Sequence, residues 1–196
     1  MITAIDQNTA LVLIDLQKGI TGMGRTTAPH PVGTVLENAV RLVDAFHAAG
    51  QPVVIVNVIP AAGAAKLRAE KSFGAMTPPP GFADIATELQ TRTRPGDIFV
   101  TKRTWGAFFE TPLHAELQKR GVTQIVLGGI STSIGVESTA RGASERGYNI
   151  AFATDAMTDT DAAAHAHSLQ NIFPRIGELG TTAEVIAMLA TFATRQ

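Results

Sequence analysis

The chain has 196 residues, 45% of them hydrophobic, with a formal net charge of −1 and no cysteine. That size suits a single domain, residues 1–196, with a sizeable core. The charge balance gives no electrostatic reason to expect nucleic acid or an anionic membrane as partner, and no stretch approaches the ~20 apolar residues of a membrane span. The absence of cysteine excludes disulfides, thiolate metal sites and thiol nucleophiles. It is compatible with a cytoplasmic protein, and the N-terminus does not read as a signal peptide.

Taken in chain order, apolar β-branched runs alternate with helical patterns. Ala10–Leu16 reads as a first strand. Thr34–Ala49 carries Val35, Ala39, Leu42, Val43 and Phe46 at helical spacing, with Gly50 as its stop. Pro52–Ile59 is a second strand. Pro60–Gly81, with Pro78, Pro79 and Pro80, is a long irregular segment, either a surface insertion or a lid over a site. Phe82–Thr91 reads as a short helix, Asp97–Thr101 as a third strand, and Pro112–Arg120 as a helix capped by Thr111. Gln124–Gly129 is a fourth strand. Ile134–Arg146 is a helix ending at Gly147, and Asn149–Thr154 is a fifth strand. Ala162–Ile172 is helical, and a last helix, Ala183–Thr194, is capped by Thr181 or Thr182. Continuous apolar strands are buried on both faces. The alternation therefore predicts an α/β fold: a doubly wound, Rossmann-like three-layer α/β/α sandwich with a mostly parallel central sheet. Ligands in such folds bind at the carboxyl ends of the strands.

Two charged residues fall at those ends. Asp15 closes the first strand. A carboxylate there is paired, hydrogen-bonded or shifted in pKa, and serves either as an acid–base group or as a structural loop cap. Lys102 follows the third strand, as a site residue or a solvated strand-end charge. Trp105, Phe108 and Phe109 come next, to wall a pocket or to pack the core. Gly128–Ala143, GGISTSIGVESTARGA, leads from a strand into a helix whose amino end favours negative charge. Ser131, Thr132 and Ser133 have no histidine nearby in sequence to activate a hydroxyl, so loop hydrogen bonding is their expected role. The Thr132 side chain is expected to face the site or brace the turn. His165 and His167, two apart on a helix, do not share a face. They are read as surface or interface residues, with no metal site and no cofactor, and His47 and His114 on helices are read the same way.

These motifs resemble those of the isochorismatase-like hydrolases, the cysteine hydrolase superfamily. The match runs through Leu13-Ile14-Asp15-Leu16-Gln17, then Lys102 to Leu113. It continues through Gly129-Ile130-Ser131-Thr132 and Val136-Glu137-Ser138-Thr139-Ala140-Arg141, and extends to Phe173-Pro174-Arg175. The resemblance implies a catalytic group of Asp15, Lys102 and the position of Gly135. It also implies substrate contacts from Gln17, Trp105, Phe108, Ile130, Ser131, Thr132, Ser133 and Ile134. A non-proline cis peptide at Ile130–Ser131 is part of the pattern, as are backbone amides at Ser133–Gly135 that hold an anion, and a homodimer or higher homo-oligomer.

Most of the superfamily has its nucleophilic cysteine where this chain has Gly135, so a thiol-dependent amidase is not expected. Isochorismatases proper also carry glycine there, with the aspartate protonating a vinyl ether. This chain differs from them in having Ile59-Pro60 where they have Gln-Pro, and Ser131-Thr132-Ser133 where they often have an aromatic and a histidine. The expectation is a hydrolase of a small carboxylate-bearing metabolite using Asp15 with Lys102 and no covalent thiol intermediate. The alternative is a catalytically silent binding or assembly protein on the same scaffold.

Overall fold

The buried strand β1 (Thr9–Ile14) runs into the short helix α1 (Lys18–Thr21) and then α2 (Val32–Ala48). β2 (Val53–Val58), α3 (Thr87–Gln90), β3 (Ile98–Lys102) and α4 (Leu113–Lys119) follow. β4 (Gln124–Ile130) leads through a π-helical turn, Thr132–Val136, into α5 (Glu137–Ser144). The chain ends with β5 (Asn149–Thr158), α6 (Ala162–His167), β6 (Glu178–Gly180) and α7 (Thr182–Ala193). This computed structural model describes residues 1–22, 24, 26–60, 70 and 77–193. Most of the proposed lid, residues 61–69 and 71–76, lies outside the described residues, as does the expected last residue of the final helix, Thr194.

The six strands form one sheet in the order β3-β2-β1-β4-β5-β6, with every neighbouring pair parallel. The chain winds outward from β1 to β3, then returns to the other side of β1 for β4. The reversal falls between β1 and β4, where a crevice opens beyond the strand ends in folds of this type. Strand alternation splits the core into two layers. Val12, Ile14, Leu127 and Phe152 pack with Leu113, Leu117 and Ala140 on one face. Leu11, Leu13, Val126 and Ala153 pack with Leu42, Phe46 and Val185 on the other. The architecture is the three-layer α/β/α sandwich.

Local chemistry sets the element ends. At the end of α2, Gly50 takes φ 67°. Its N–H donates to the His47 carbonyl and the Gln51 N–H to the Phe46 carbonyl, the two bonds of a Schellman cap. The Thr181 N–H donates to Glu184 Oε2 at 2.7 Å, and the Glu184 N–H to Thr181 Oγ1 at 3.2 Å, a capping box that opens α7. At the end of β4, Gly129 has φ 129°. It lies so close to the Ile14 backbone that a Cβ there would run into it.

Several elements differ from the sequence expectation. Of the expected helix Phe82–Thr91 only Thr87–Gln90 is helical, because the carbonyls that a helix would use face another partner. The Phe82 carbonyl accepts from the Gly19 N–H and from Gln17 Nε2, and the Asp84 carbonyl accepts from the Lys18 N–H. The fifth strand continues to Thr158, and β6 was not read from the sequence at all.

Candidate active site

Asp15 is the first residue beyond β1 and adopts φ 55°, a left-handed conformation that aspartate tolerates better than most side chains. Its N–H donates to the Val56 carbonyl at 2.9 Å, fixing the turn against β2. The turn leaves the residue 5% exposed. Lys102, at the end of β3, is 2% exposed, and its Nζ lies 2.8 Å from Asp15 Oδ2. That ammonium also donates to the Thr104 carbonyl at 3.1 Å. The second carboxyl oxygen, Asp15 Oδ1, is buried without a hydrogen-bond partner among the described residues. Burial pushes the Asp15 carboxyl from an ordinary 3.8 up to about 6, and the Lys102 charge and hydrogen bond only partly oppose it. A protonated fraction therefore persists close to neutrality.

Gly135 lies in the π-helical turn beyond β4 and closes the third side. A Cβ on it would stand 3.1 Å from Asp15 Oδ2 and 3.0 Å from Ile14 Cγ2. A side chain here would press directly on the carboxyl, and glycine leaves that space empty. Its carbonyl accepts from Thr139 Oγ1 at 2.7 Å, and that threonine hydroxyl in turn accepts from the Ala107 N–H at 3.1 Å. This ties the turn to the segment that follows β3. The Ile130–Ser131 peptide bond is cis.

The structure brings Asp15, Lys102 and Gly135 together and puts several other residues to different use. Gln17 is fully buried. Its Nε2 donates to the Val58 and Phe82 carbonyls, and its Oε1 accepts from the Val58 N–H at 2.7 Å. It clamps the end of β2 to residue 82, and both Nε2 hydrogens are committed there. Phe108 is core: it stacks on Tyr148 at 5.9 Å and lies under the Arg146 guanidinium. Trp105, by contrast, is 63% exposed. Ile130 packs in the core layer with Leu13 and Leu42. Ser131 is half-buried and its carbonyl accepts from the N–H groups of Ile134 and Val136.

The expected anion cradle at Ser133–Gly135 is altered by a residue the sequence did not single out. Asp159 Oδ2 accepts from the Ser133 N–H at 2.7 Å and from Ser133 Oγ at 2.8 Å. The Ile134 N–H is engaged as well, so an internal carboxylate already holds the start of the turn. The only hint in sequence is Thr158-Asp159-Thr160-Asp161, which reads as a plain polar loop.

The histidines also depart from expectation. His165 is buried, 4% exposed, and its Nδ1 lies 2.9 Å from Thr132 Oγ1. Burial and the nearby His30 ring push its pKa down. Thr132 braces the turn. His167 is exposed, in keeping with two faces for residues two apart. His47 Nε2 pairs with Asp97 Oδ1 at 2.8 Å, and both side chains are nearly buried. His114 Nδ1 meets the Tyr148 hydroxyl at 2.8 Å. Among the described residues, no three His, Asp or Glu side chains converge on one point, and no helix is long and apolar enough to cross a membrane.

Comparison with known proteins adds the family. Residues 9–184 match the Isochorismatase domain. The isochorismatase family protein YwoC of Bacillus subtilis is 44% identical over 186 residues, 92% of this chain and 93% of its own. YecD of Escherichia coli O157:H7 is 39% identical across 93% of this chain and 97% of its own. An isochorismatase family protein from Burkholderia thailandensis has a solved structure that superposes with a TM-score of 0.90 at 37% identity, covering 97% of this chain and all of that one. A family match over most of the chain, relatives of near-equal length and a shared architecture agree: the chain belongs to the isochorismatase family and is a hydrolase of the isochorismatase-like type.

Proposed function

We propose that this hydrolase acts on a small carboxylate-bearing metabolite with Asp15 as the general acid–base group, without a covalent enzyme intermediate. The observation that carries this reading is the Asp15 carboxyl itself, buried, with a midpoint of about 6, its Oδ2 beside the space above Gly135 and its Oδ1 unpartnered among the described residues. A carboxylic acid with a raised pKa suits proton delivery near neutrality. Lys102, touching Oδ2, stabilises the carboxylate left by proton transfer and offers positive charge to an anionic substrate.

A vinyl ether of the isochorismate type fits this arrangement. Proton transfer from Asp15 to the terminal vinyl carbon gives an oxocarbenium ion, and water adds to it. The hemiketal then releases the ring alcohol and pyruvate, while Asp15 regains its proton from the water. Lys102 replaces the helix amides as the main source of positive charge, since Asp159 already holds the Ser133 amide.

The test is a metabolite panel that includes isochorismate, run on the wild type and on Asp15→Asn and Lys102→Ala. Turnover that both substitutions leave unchanged overturns the mechanism. No turnover across the panel, together with thermal stabilisation by a small carboxylate, replaces it with a binding role. We also infer self-association, because Trp105 and Phe109 expose large apolar surfaces close together in sequence. Sedimentation as a monomer at micromolar concentration overturns that inference.

A further inference from the structure

We propose that His165 is a positioning residue that acts through Thr132, holding the Ser131–Gly135 turn against the Asp15 carboxyl. The proposal rests on the reading of Asp15 as the acid–base group, and its evidence lies in a polar cluster which that reading does not use. Gly135 has no side chain with which to fix itself, so its place relative to Asp15 depends on its neighbours. Two of those neighbours are anchored to different elements. Ser133 is held by Asp159, just beyond β5, through its N–H and its hydroxyl. Thr132 is held by His165 on α6, through one hydrogen bond at 2.9 Å between side chains that are both buried.

The anchors are themselves fixed. Asp161 caps α6, accepting from the Ala163 N–H at 2.8 Å and the Ala164 N–H at 3.3 Å, which sets the rotation of His165. The residue-159 backbone pairs with Ala28 in both directions. Thr158 Oγ1 donates to the His30 carbonyl at 2.7 Å, and the His30 ring stands edge-on to His165 at 6.3 Å. The charged or titratable groups facing His165 are thus His30 and Asp159. A buried hydroxyl–imidazole pair of this kind resembles a nucleophile with its base. Thr132 is fully buried, however, so its hydroxyl serves to hold the turn and is closed to substrate. Burial of the pair also makes it intolerant of losing one partner, because the other is left unsatisfied.

The experiment follows the Asp15 carboxyl in the intact protein by carbon-detected NMR titration, which needs no substrate. Four variants are compared with the wild type: Thr132→Val, His165→Leu, His165→Asn and the double variant Thr132→Val/His165→Leu. Asparagine places a polar atom where Nδ1 stands, whereas leucine and valine remove the hydrogen bond and keep the bulk. In Thr132→Val and His165→Leu the turn loosens and water reaches Asp15. Its midpoint then moves down from about 6 toward the ordinary carboxylate value by about one unit. His165→Asn keeps the wild-type midpoint, and the double variant shifts no further than either single.

An unchanged midpoint in Thr132→Val overturns the proposal, and that variant decides the question even where His165→Leu fails to fold. A midpoint that falls equally in His165→Asn overturns it too, since packing rather than the hydrogen bond would then be responsible. Wild-type inactivity toward isochorismate bears on the proposed reaction and leaves this titration readable.

Discussion

Replacing Lys102 with methionine keeps most of the buried volume and removes the charge. The ammonium sits 2.8 Å from Asp15 Oδ2, and little of either side chain meets water. Removing one member of a buried pair costs about 3–5 kcal/mol, and a stranded carboxylate relieves that by taking up a proton. One pH unit corresponds to about 1.4 kcal/mol, so the Asp15 midpoint rises by about 2–4 units. In the wild type, with a midpoint of about 6, about one-tenth of the carboxyl is protonated at pH 7. In Lys102→Met about nine-tenths or more is protonated at the same pH. The assay is the infrared carbonyl band of a protonated carboxylic acid at neutral pH, with Asp15→Asn as the blank. For any substrate that is turned over, the alkaline limb of kcat/KM moves upward with the same midpoint. An Asp15 that stays mostly ionised at pH 7 in Lys102→Met refutes the reasoning, because the charge would then be held by solvent and not by the lysine.

Further outcomes follow from the same geometry. The folded carboxyl binds its proton more tightly than the unfolded chain does, with a midpoint of about 6 against 3.8. This group's contribution to stability therefore falls as pH rises through that window, by about 3 kcal/mol in all. Urea unfolding across the window shows that component in the wild type but not in Asp15→Asn, and equal pH dependence in both refutes it. Gly135→Ala forces a methyl against Ile14 and Asp15 and lowers stability by about 1–3 kcal/mol. Thermal unfolding reads the loss, and full stability in the alanine variant contradicts the crowding. His47→Leu leaves the Asp97 carboxylate with only the Arg94 N–H among its named partners. It lowers stability by about 2–3 kcal/mol. The Asp15 titration stays put, since this pair lies at the amino end of β3 and the site at its carboxyl end.

Much of this molecule is legible in the chain because burial on both faces leaves unbroken apolar runs. β1, β2 and β4 read directly for that reason, and their place at strand ends marks out Asp15 and Lys102 in the chain. β5 was cut short because Asp155 interrupts its pattern. That aspartate sits in the strand to serve another element: its Oδ1 accepts from the Thr182 N–H and hydroxyl at the start of α7. The segment from Phe82 has helical spacing, yet its carbonyls are claimed by residues 17–19 across the fold. Asp159 was not singled out, and His165 was read as a surface or interface residue although it is buried, for a shared reason. Each works through one partner about thirty residues away in sequence, and neither the spacing nor the composition of a local window records such a partner. The periodicity rule for His165 and His167 did place them on different faces. What it does not carry is which face the core takes.

The close approach of Gly129 to the Ile14 backbone bears on how sites of this kind diversify. The residue that supplies the carboxyl and the turn that carries Gly135 both spring from that contact, so they shift together or not at all. Any side chain at 129 would prise the two strands apart. A substitution at Gly129 therefore shifts the acid and the turn at once, whereas changes farther along the turn leave that strand contact in place.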